Sequence, residues 1–512
     1  MITMIWLTRA LLFGLSAQLT LAKTPSKDEA PVAGSKDNLA YEPISQSTIY
    51  TSNATSPDSG NVPPTTRWWS SQICAQKTYC IYTNLALGRG HGIVLLTKFA
   101  EFQKIERLDQ HLDKAEDRIE ATTENGGPPF EESYILDKGP GLTATTQLRR
   151  GKPLMQAAPV LMVHKDFFAD VWRRKEREKM LEVAVGFLPE KTRGEVERQR
   201  SLGLGPGGKK GEEGKDGKDA SGKDRKAGNE AKETGTGTKR SIEQILLASP
   251  FEIDLGSNSY QPVGQGQGQG QANSQADHSK HYVNYPSMAL FTHSCRPNVA
   301  FHIDGNMALR TTVARKVSPG EELTIAYIDP MKPRKERQEW VGKYRPRPSS
   351  SSTSSSPSSD SKEGSGCPCP ACTGHSPRVL SKQHGHPHTS SPATELSKSD
   401  ARLSQLENLR SELRNGHESH SKVTPEMIEN FLKLLVEEGL ESKLAEAYEL
   451  AATNYNYLGK DRMAKRYADK AVQAARIEYG RDANDVVAMR IMAGDVRGHW
   501  SFGFRSKGKG RG

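Results

Sequence analysis

Two short runs of sequence constrain the fold of this chain more than any other feature. The first, THSCRPN, covers residues 292–298, and the second, GEELTIAY, covers residues 320–327, about one strand later. Either run alone is weak evidence, because short matches occur by chance. In this order and at this separation they predict a single type of domain. If that prediction is correct, a glycine-rich turn should lie upstream of the two runs and a cysteine cluster should lie downstream.

Two glycine-rich segments are candidates for the upstream turn. Residues 88–92 read GRGHG, and residues 138–142 read KGPGL. Only the second is followed by a strand pattern, a basic turn at Arg150-Gly151 and a second strand pattern that ends near Pro159. Glycine allows a close approach of the backbone to a ligand. This order of turns and strands is how the fold of the family named below opens, so that resemblance implies 138–142 as the ligand-binding turn and leaves 88–92 as a structural turn or a covering element.

The downstream cysteines are closely spaced. Cys367, Cys369 and Cys372 follow the pattern C-x-C-x-x-C, which brings three thiols to one turn of the chain. A structural zinc site needs four ligands, so a distant fourth residue must complete it. Disulfide pairing is the alternative. Cys74 and Cys80 are also close in sequence, and whether they pair is left open.

Taken together, these motifs resemble the SET domain of SET-and-MYND-type protein-lysine methyltransferases, and fungal SET domain proteins in particular. The resemblance implies an α+β fold: a split SET β-fold with a pseudoknot and a post-SET zinc site, followed by a C-terminal tetratricopeptide-like helical region. It also implies S-adenosyl-L-methionine and Zn²⁺ as cofactors. No second cysteine and histidine cluster is present in the sequence, so a MYND module is not expected.

The resemblance also assigns roles to individual residues. It implies Tyr327 as the catalytic tyrosine and Tyr285 as a catalytic-site residue lining the lysine channel. The alternative for Tyr327 is an ordinary strand aromatic. The implied zinc ligands are Cys295, Cys367, Cys369 and Cys372. The implied cofactor-binding residues are Lys138, Gly139, Pro140, Gly141, Ser249, Thr292 and His293.

The sequence departs from the family pattern at two of these positions. Thr292 and Ser249 stand where the family has asparagines that bond the methionine part of the cofactor. A hydroxyl offers fewer donors and acceptors than an amide. The leading hypothesis is therefore a protein-lysine N-methyltransferase, and the alternative is a catalytically weak or inactive SET scaffold that binds protein partners.

Composition and periodicity divide the rest of the chain. Low-complexity stretches cannot bury enough apolar surface to offset the entropy of ordering, so we expect them to be disordered. Small residues opposite aromatics after Thr424 predict paired helices, with a coiled-coil surface as the alternative. The predicted segments are a signal peptide at 1–22, a disordered leader at 23–66, an N-terminal ordered strip at 67–120, a SET domain at 130–330 with disordered insertions at 203–240 and 261–280, a post-SET region at 331–374 with a Ser-rich insertion at 346–366, a linker with a short helix at 375–423 and a tetratricopeptide-like region at 424–505.

The N-terminus and the overall charge bear on location and partners. A short positive region and an apolar stretch too short to span a bilayer favour secretion, and the nucleus or cytoplasm is the alternative. The net charge of +10 is compatible with an anionic partner, but basic tails explain it as well. We expect a protein substrate with a target lysine, of which a histone is one candidate, and a protein partner at the C-terminal helices. No direct nucleic-acid motif and no membrane span are expected.

Overall fold

The computed structural model describes residues 68–106, 117–123, 126–135, 138–202, 239–249, 251–254, 279–344, 367–374, 392–418 and 420–507. The predicted signal peptide, the disordered leader and the Ser-rich insertion lie outside these residues. The two predicted insertions at 203–240 and 261–280 lie almost wholly outside them.

The described strands form four sheets. Their bounds are β1 Trp69–Ala75, β2 Tyr79–Asn84, β3 Ile93–Thr97, β4 Arg118–Ile119, β5 Phe130–Ile135, β6 Gly139–Ala144, β7 Pro153–Ala157, β8 Leu161–His164, β9 Glu252–Asp254, β10 Lys280–Asn284, β11 Thr292–His293, β12 Val299–Ile303, β13 Leu309–Val313 and β14 Thr324–Ile325. The order in the largest sheet is β1-β2-β3-β8-β10-β9, and a second sheet has the order β12-β13-β7-β4. The strands β5 and β6 pair with each other, as do β11 and β14.

The described helices are distributed unevenly, with most of the helical residues after residue 392. Their bounds are α1 Leu87–Gly90, α2 Phe99–Glu106, α3 Phe167–Asp170, α4 Arg174–Gly186, α5 Glu190–Ser201, α6 Ile242–Leu247, α7 Arg334–Tyr344, α8 Pro370–Thr373, α9 Pro392–Arg414, α10 Pro425–Glu437, α11 Leu444–Tyr457, α12 Asp461–Glu478, α13 Asn484–Gly494 and α14 Phe504–Lys507. None of the helices in the described part of the chain is long and apolar enough to cross a lipid bilayer.

The N-terminal strip is part of the main sheet. All five residues of β3, IVLLT, are buried, as expected for a strand covered on both faces. This strand pairs in parallel with β8, and β8 pairs with β10. The disulfide between Cys74 and Cys80 joins the directly opposed strands β1 and β2. Residues 69–97 therefore extend the sheet to which β8 and β10 belong.

The C-terminal helices pack against the second sheet. The hydroxyl of Thr424 accepts a hydrogen bond from the Met427 amide at 3.4 Å, so it caps the start of α10. Gly459, with φ of +68°, lies in the short turn that reverses the chain between α11 and α12. The rings of Tyr455 and Tyr467 stack across these two helices with centroids 5.6 Å apart. At the end of α12, Gly480 lies so close to the His302 ring of β12 that a Cβ would approach within 2.8 Å.

The segment expected to be a linker contains more structure than its composition suggests. Residues 392–414 form a helix of 23 residues, whereas the sequence predicted only a short one. Leu403, Leu406 and Leu413 of this helix are buried in the core of the helical region. Their spacing places them on one face, which explains why a segment rich in Ser, Glu and Arg forms a packed helix.

One buried carboxylate connects the helical region to the first motif. Glu438, whose side chain is 2% exposed, directly follows α10 and accepts hydrogen bonds from Arg296 of the motif and from Arg402 of α9. The hydroxyl of Ser399 donates to the same carboxylate at 2.8 Å. Burial raises the pKa of Glu438, but the two guanidinium groups lower it more, so the net shift is downward.

Replacing Glu438 tests the importance of this connection. Glu438→Ala leaves Arg296 and Arg402 without their shared partner, so we expect the free energy of unfolding to fall by about 3–5 kcal/mol in a urea titration. Glu437→Ala is the matched control, because Glu437 is 45% exposed and pairs only with Lys433 at 3.6 Å. The control should change stability by no more than about 0.5 kcal/mol. Equal losses in the two variants would contradict the assigned role.

Candidate functional site

The two motifs meet in a short parallel strand pair. Thr292 and His293 of β11 lie opposite Thr324 and Ile325 of β14. The Asn298 side chain, which is 1% exposed, holds them together. Its oxygen accepts a hydrogen bond from the Thr324 amide at 2.8 Å, and its nitrogen donates to the Glu322 carbonyl at 2.7 Å. A single buried amide thus fixes the position of both motifs.

His293 lies between Tyr327 and the cysteine cluster. Its Nδ1 accepts a hydrogen bond from the Tyr327 amide at 3.1 Å, and its Nε2 lies 3.3 Å from the Cys295 Sγ. In the neutral imidazole the nitrogen that does not accept carries the proton, so Nε2–H points at the sulfur. The rings of His293 and Tyr327 have centroids 5.4 Å apart. The histidine therefore connects the predicted catalytic tyrosine to the predicted metal site.

The two predicted active-site tyrosines have different surroundings. The Tyr327 hydroxyl donates to the Phe291 carbonyl, which precedes Thr292. The Tyr285 hydroxyl donates to the Met307 carbonyl at 2.8 Å, and burial raises its pKa well above the ordinary value. Its ring packs edge-on against Phe251 with centroids 5.4 Å apart. Tyr285 is thus held in the core by its hydroxyl, and its place in a lysine channel stays a prediction.

The KGPGL turn packs directly against the first motif. Lys138 and Gly139 lie at the reversal between β5 and β6, where Gly139 has φ of +87° and Pro140 pairs with Tyr134. At Gly141 a Cβ would lie 2.7 Å from Ile135 Cγ1 and 3.1 Å from Thr292 Cγ2. Because a side chain does not fit there, glycine allows the turn to approach β11 closely.

A charged pair bridges the turn and both motifs. The Lys138 Nζ lies 2.7 Å from a carboxylate oxygen of Glu322, and the Thr292 hydroxyl donates to the same carboxylate. The Lys138 and Glu322 side chains are 15% and 22% exposed. Three predicted cofactor residues, Lys138, Gly141 and Thr292, are therefore brought together. Glu322 joins them, although no role was predicted for it.

Ser249 and the second glycine segment were also assigned from the sequence. Ser249 follows α6, and its hydroxyl accepts a weak 3.4 Å hydrogen bond from the Phe251 amide. In the GRGHG segment, a Cβ at Gly92 would approach Pro189 Cδ to 2.8 Å, so this turn packs tightly against the start of α5. No direct contact joins Ser249 to Thr292 among the interactions recorded for the described residues.

The four predicted zinc ligands form one buried cluster. Their sulfur atoms all lie within 4.8 Å of one another, and the Cys295 sulfur is 3.6 Å from that of Cys372 and 4.0 Å from that of Cys367. Tetrahedral zinc with Zn–S bonds of about 2.3 Å places its sulfurs about 3.8 Å apart. The donor set and its spacing therefore fit a structural zinc ion.

A buried arginine supports this interpretation of the cluster. Arg337 of α7 is 0% exposed, and its Nη1 lies 3.6 Å from the Cys372 sulfur. Burial lowers the pKa of Arg337, but the sulfurs of Cys295 and Cys372 raise it more, so the net shift is upward. A buried charge needs a compensating partner. Four thiolates around one divalent ion carry excess negative charge, which Arg337 would balance.

Comparison with known proteins identifies the domain that carries these motifs. Residues 139–328 match the family model described as "SET domain". The chain contains a SET domain. Histone-lysine N-methyltransferase SMYD3 of Mus musculus is 44% identical to this chain over 55 residues, which are 11% of the chain and 13% of that protein. The similarity to the curated relative thus covers only about an eighth of the relative's length.

These comparisons confirm the predicted SET domain and the mixed α and β architecture with C-terminal helices. The matched range begins at Gly139 and ends at Ile328, so it contains the KGPGL glycines and both motifs. The pseudoknot, the bound zinc and the tetratricopeptide-like character of the tail stay predictions. The roles of Glu322 and Arg337 were not predicted from the sequence. Each lies in a run of polar residues, and nothing in such a run indicates which residue contacts the site.

Cobalt substitution tests the metal site. Thiolate ligands give Co²⁺ intense charge-transfer absorption, so we expect this band when the chain is refolded with Co²⁺ and its loss in Cys369→Ala, which removes one of the four ligands. The double variant Cys74→Ser/Cys80→Ser is the control, because these residues form the separate disulfide. The band should persist in the control, and its persistence in Cys369→Ala would refute the ligand assignment.

Proposed function

We propose that this chain is an S-adenosylmethionine-dependent protein-lysine N-methyltransferase of the SET type. The observation that supports it most directly is the convergence of the KGPGL turn, the Thr292–Asn298 run and Tyr327 within a matched SET domain. The histone-lysine N-methyltransferase SMYD3 shares sequence with part of the chain. Histone is accordingly one candidate substrate.

The residues of the turn suit a cofactor with a zwitterionic amino-acid part. When bound, S-adenosylmethionine supplies an electrophilic methyl group on a sulfonium. Gly139 and Gly141 leave the backbone open to close approach. Lys138 and Glu322 offer one charge of each sign next to Thr292, which suits a ligand that carries both an ammonium and a carboxylate. This pair offers polar contacts next to Thr292, where the family's amide is missing.

In the proposed mechanism the chain aligns the reactants and excludes water, with little acid or base catalysis. A lysine amine must be neutral to act as a nucleophile, and a desolvated site near a positive charge favours the neutral form. Tyr327 is 6% exposed, and its hydroxyl is held by the Phe291 carbonyl while its amide is held by His293. A phenol oxygen fixed in this way can accept a hydrogen bond from the amine and orient its lone pair.

The second candidate function is an inactive SET scaffold that binds partners through its helices. Thr292 and Ser249 motivate it, since both replace amides. Titration calorimetry separates the two functions. Heat on addition of S-adenosylmethionine supports the enzyme, whereas no heat at millimolar cofactor favours the scaffold.

Location also stays a proposal, with the secretory pathway favoured. The disulfide between Cys74 and Cys80 supports it, because disulfides persist in oxidising compartments. The proposed signal peptide itself lies outside the described residues.

Removing the Tyr327 hydroxyl tests the catalytic assignment. We expect Tyr327→Phe to lower the rate of methyl transfer to a lysine-containing protein at least about tenfold, which corresponds to about 1.4 kcal/mol of activation free energy. Tyr82→Phe is the matched control, because Tyr82 is also buried in the same core but stacks on Phe102 away from the motifs. A rate in Tyr327→Phe equal to that of the control would refute the role.

Restoring an amide at position 292 tests the cofactor site. Thr292→Asn adds a donor and an acceptor, so we expect S-adenosylmethionine to bind up to about tenfold more tightly by calorimetry, the equivalent of one good hydrogen bond. Thr146→Asn makes the same change at an exposed position of the SET domain and should leave the affinity unchanged. An affinity in Thr292→Asn equal to that of the Thr146→Asn control would place the cofactor away from this residue.

A further inference from the structure

Three side chains from distant parts of the sequence converge outside the SET motifs. His91 follows α1, Asp117 directly precedes β4, and Glu195 lies in the middle of α5. One ligand-type atom from each lies within 4.8 Å of the others, and the His91 Nε2 is 3.6 Å from a carboxylate oxygen of Glu195. The group therefore combines one imidazole nitrogen with two carboxylates.

The Nε2 of this histidine is buried and makes no hydrogen bond in the described part of the chain. The His91 side chain is 9% exposed, and neither its Nε2 nor the facing Glu195 oxygen makes a hydrogen bond among the described residues. At 3.6 Å the two atoms are too far apart for one. Leaving two buried polar atoms without a hydrogen bond costs about 1–3 kcal/mol each. The arrangement therefore favours an ion or a ligand atom bound between the His91 Nε2 and the Glu195 oxygen.

Neighbouring groups hold the three residues in place. The Ala158 amide donates to the Asp117 carboxylate at 2.6 Å, which fixes one of its oxygens. The Thr192 hydroxyl, one turn before Glu195 in α5, donates to the His91 carbonyl at 2.5 Å and ties the loop to the helix. Outer contacts of this kind typically orient the residues that bind a metal ion.

We propose that His91, Asp117 and Glu195 form a second metal site, which binds a divalent transition ion of the Zn²⁺ or Mn²⁺ class. Ligand atoms on one tetrahedral ion with bonds of about 2.1 Å lie about 3.4 Å apart, close to the observed 3.6 Å. An imidazole among the ligands favours a transition ion over Ca²⁺ or Mg²⁺, which prefer oxygen alone.

The surroundings give an ion access to the three residues. Asp117 is exposed and the Glu195 side chain is 32% exposed, so an ion can enter from solvent. Three protein ligands and one water complete a four-coordinate zinc site.

The proposed metal site lies on a helix, α5, that is hydrogen-bonded to a strand of the SET domain. The amide group of Gln199, in the last turns of α5, exchanges two hydrogen bonds with Asn284 of β10, at 3.0 and 2.9 Å. The strand β10 leads directly into the segment that precedes Thr292. An ion bound by Glu195 and His91 therefore fastens α5 and the 88–92 turn to the domain independently of the cysteine cluster.

The test counts zinc in the full-length, untagged chain. After equilibration with buffered zinc, mass spectrometry should find two ions per chain in the wild type and one in each of His91→Ala and Glu195→Gln. Glu197→Gln is the matched control on the same helix, because Glu197 pairs with Arg200 and Lys239 on the exposed side. It should retain two ions. A zinc count in Glu195→Gln equal to that in Glu197→Gln would overturn the proposal, whether or not the cysteine cluster holds the other ion.

A binding measurement covers the case in which a variant folds poorly. With the cysteine cluster already loaded with zinc, Mn²⁺ binding is followed by electron paramagnetic resonance, because manganese prefers oxygen and nitrogen donors to thiolates. We expect one Mn²⁺ per wild-type chain and an affinity at least about tenfold lower in Glu195→Gln than in Glu197→Gln. Equal affinities in these two variants would refute the site.

Discussion

The parallel pairing of Thr292–His293 with Thr324–Ile325 is the constraint on which the rest of the site depends. The Asn298 side-chain amide is central to this pairing. It is buried, it donates to the Glu322 carbonyl, and it accepts a hydrogen bond from the Thr324 amide. With this pairing in place, the Tyr327 amide reaches His293 and the Glu322 carboxylate reaches Thr292. Chain segments some thirty residues apart thus act as one structural unit.

From this unit, contacts extend in two directions. Cys295 leads to the sulfur cluster, beside which Arg337 of α7 is buried, and the adjacent Arg296 leads to Glu438 of the helical region. A buried charge cannot be removed from one side of such an arrangement without leaving its partner uncompensated. The helical region is therefore coupled to the motif loop through charge as well as through apolar packing.

The sequence predicted the SET domain because its evidence is local: the THSCRPN and GEELTIAY runs and the order of turns around Gly139 depend on neighbouring residues. It did not predict features that arise from contacts between distant segments. The parallel pairing of β3 with β8 joins residues more than sixty apart. Arg337 lies in a polar helix that reads as a solvated surface, yet it is fully buried, with its Nη1 3.6 Å from the sulfur of Cys372, a residue distant in sequence. The 23-residue helix α9 was underestimated because its few leucines are separated by charged residues.

The Lys138–Glu322 pair bears on the choice between enzyme and scaffold. Both side chains are partly exposed, and a pair of this kind typically contributes no more than about 1 kcal/mol to folding. It nevertheless lies at the glycine turn, next to the residue that replaces an amide, and its two charges bond each other there. Under the proposed function, we infer that this pair changes how the cofactor is held at position 292, because each of its charges can exchange its partner for the oppositely charged group of a zwitterionic ligand.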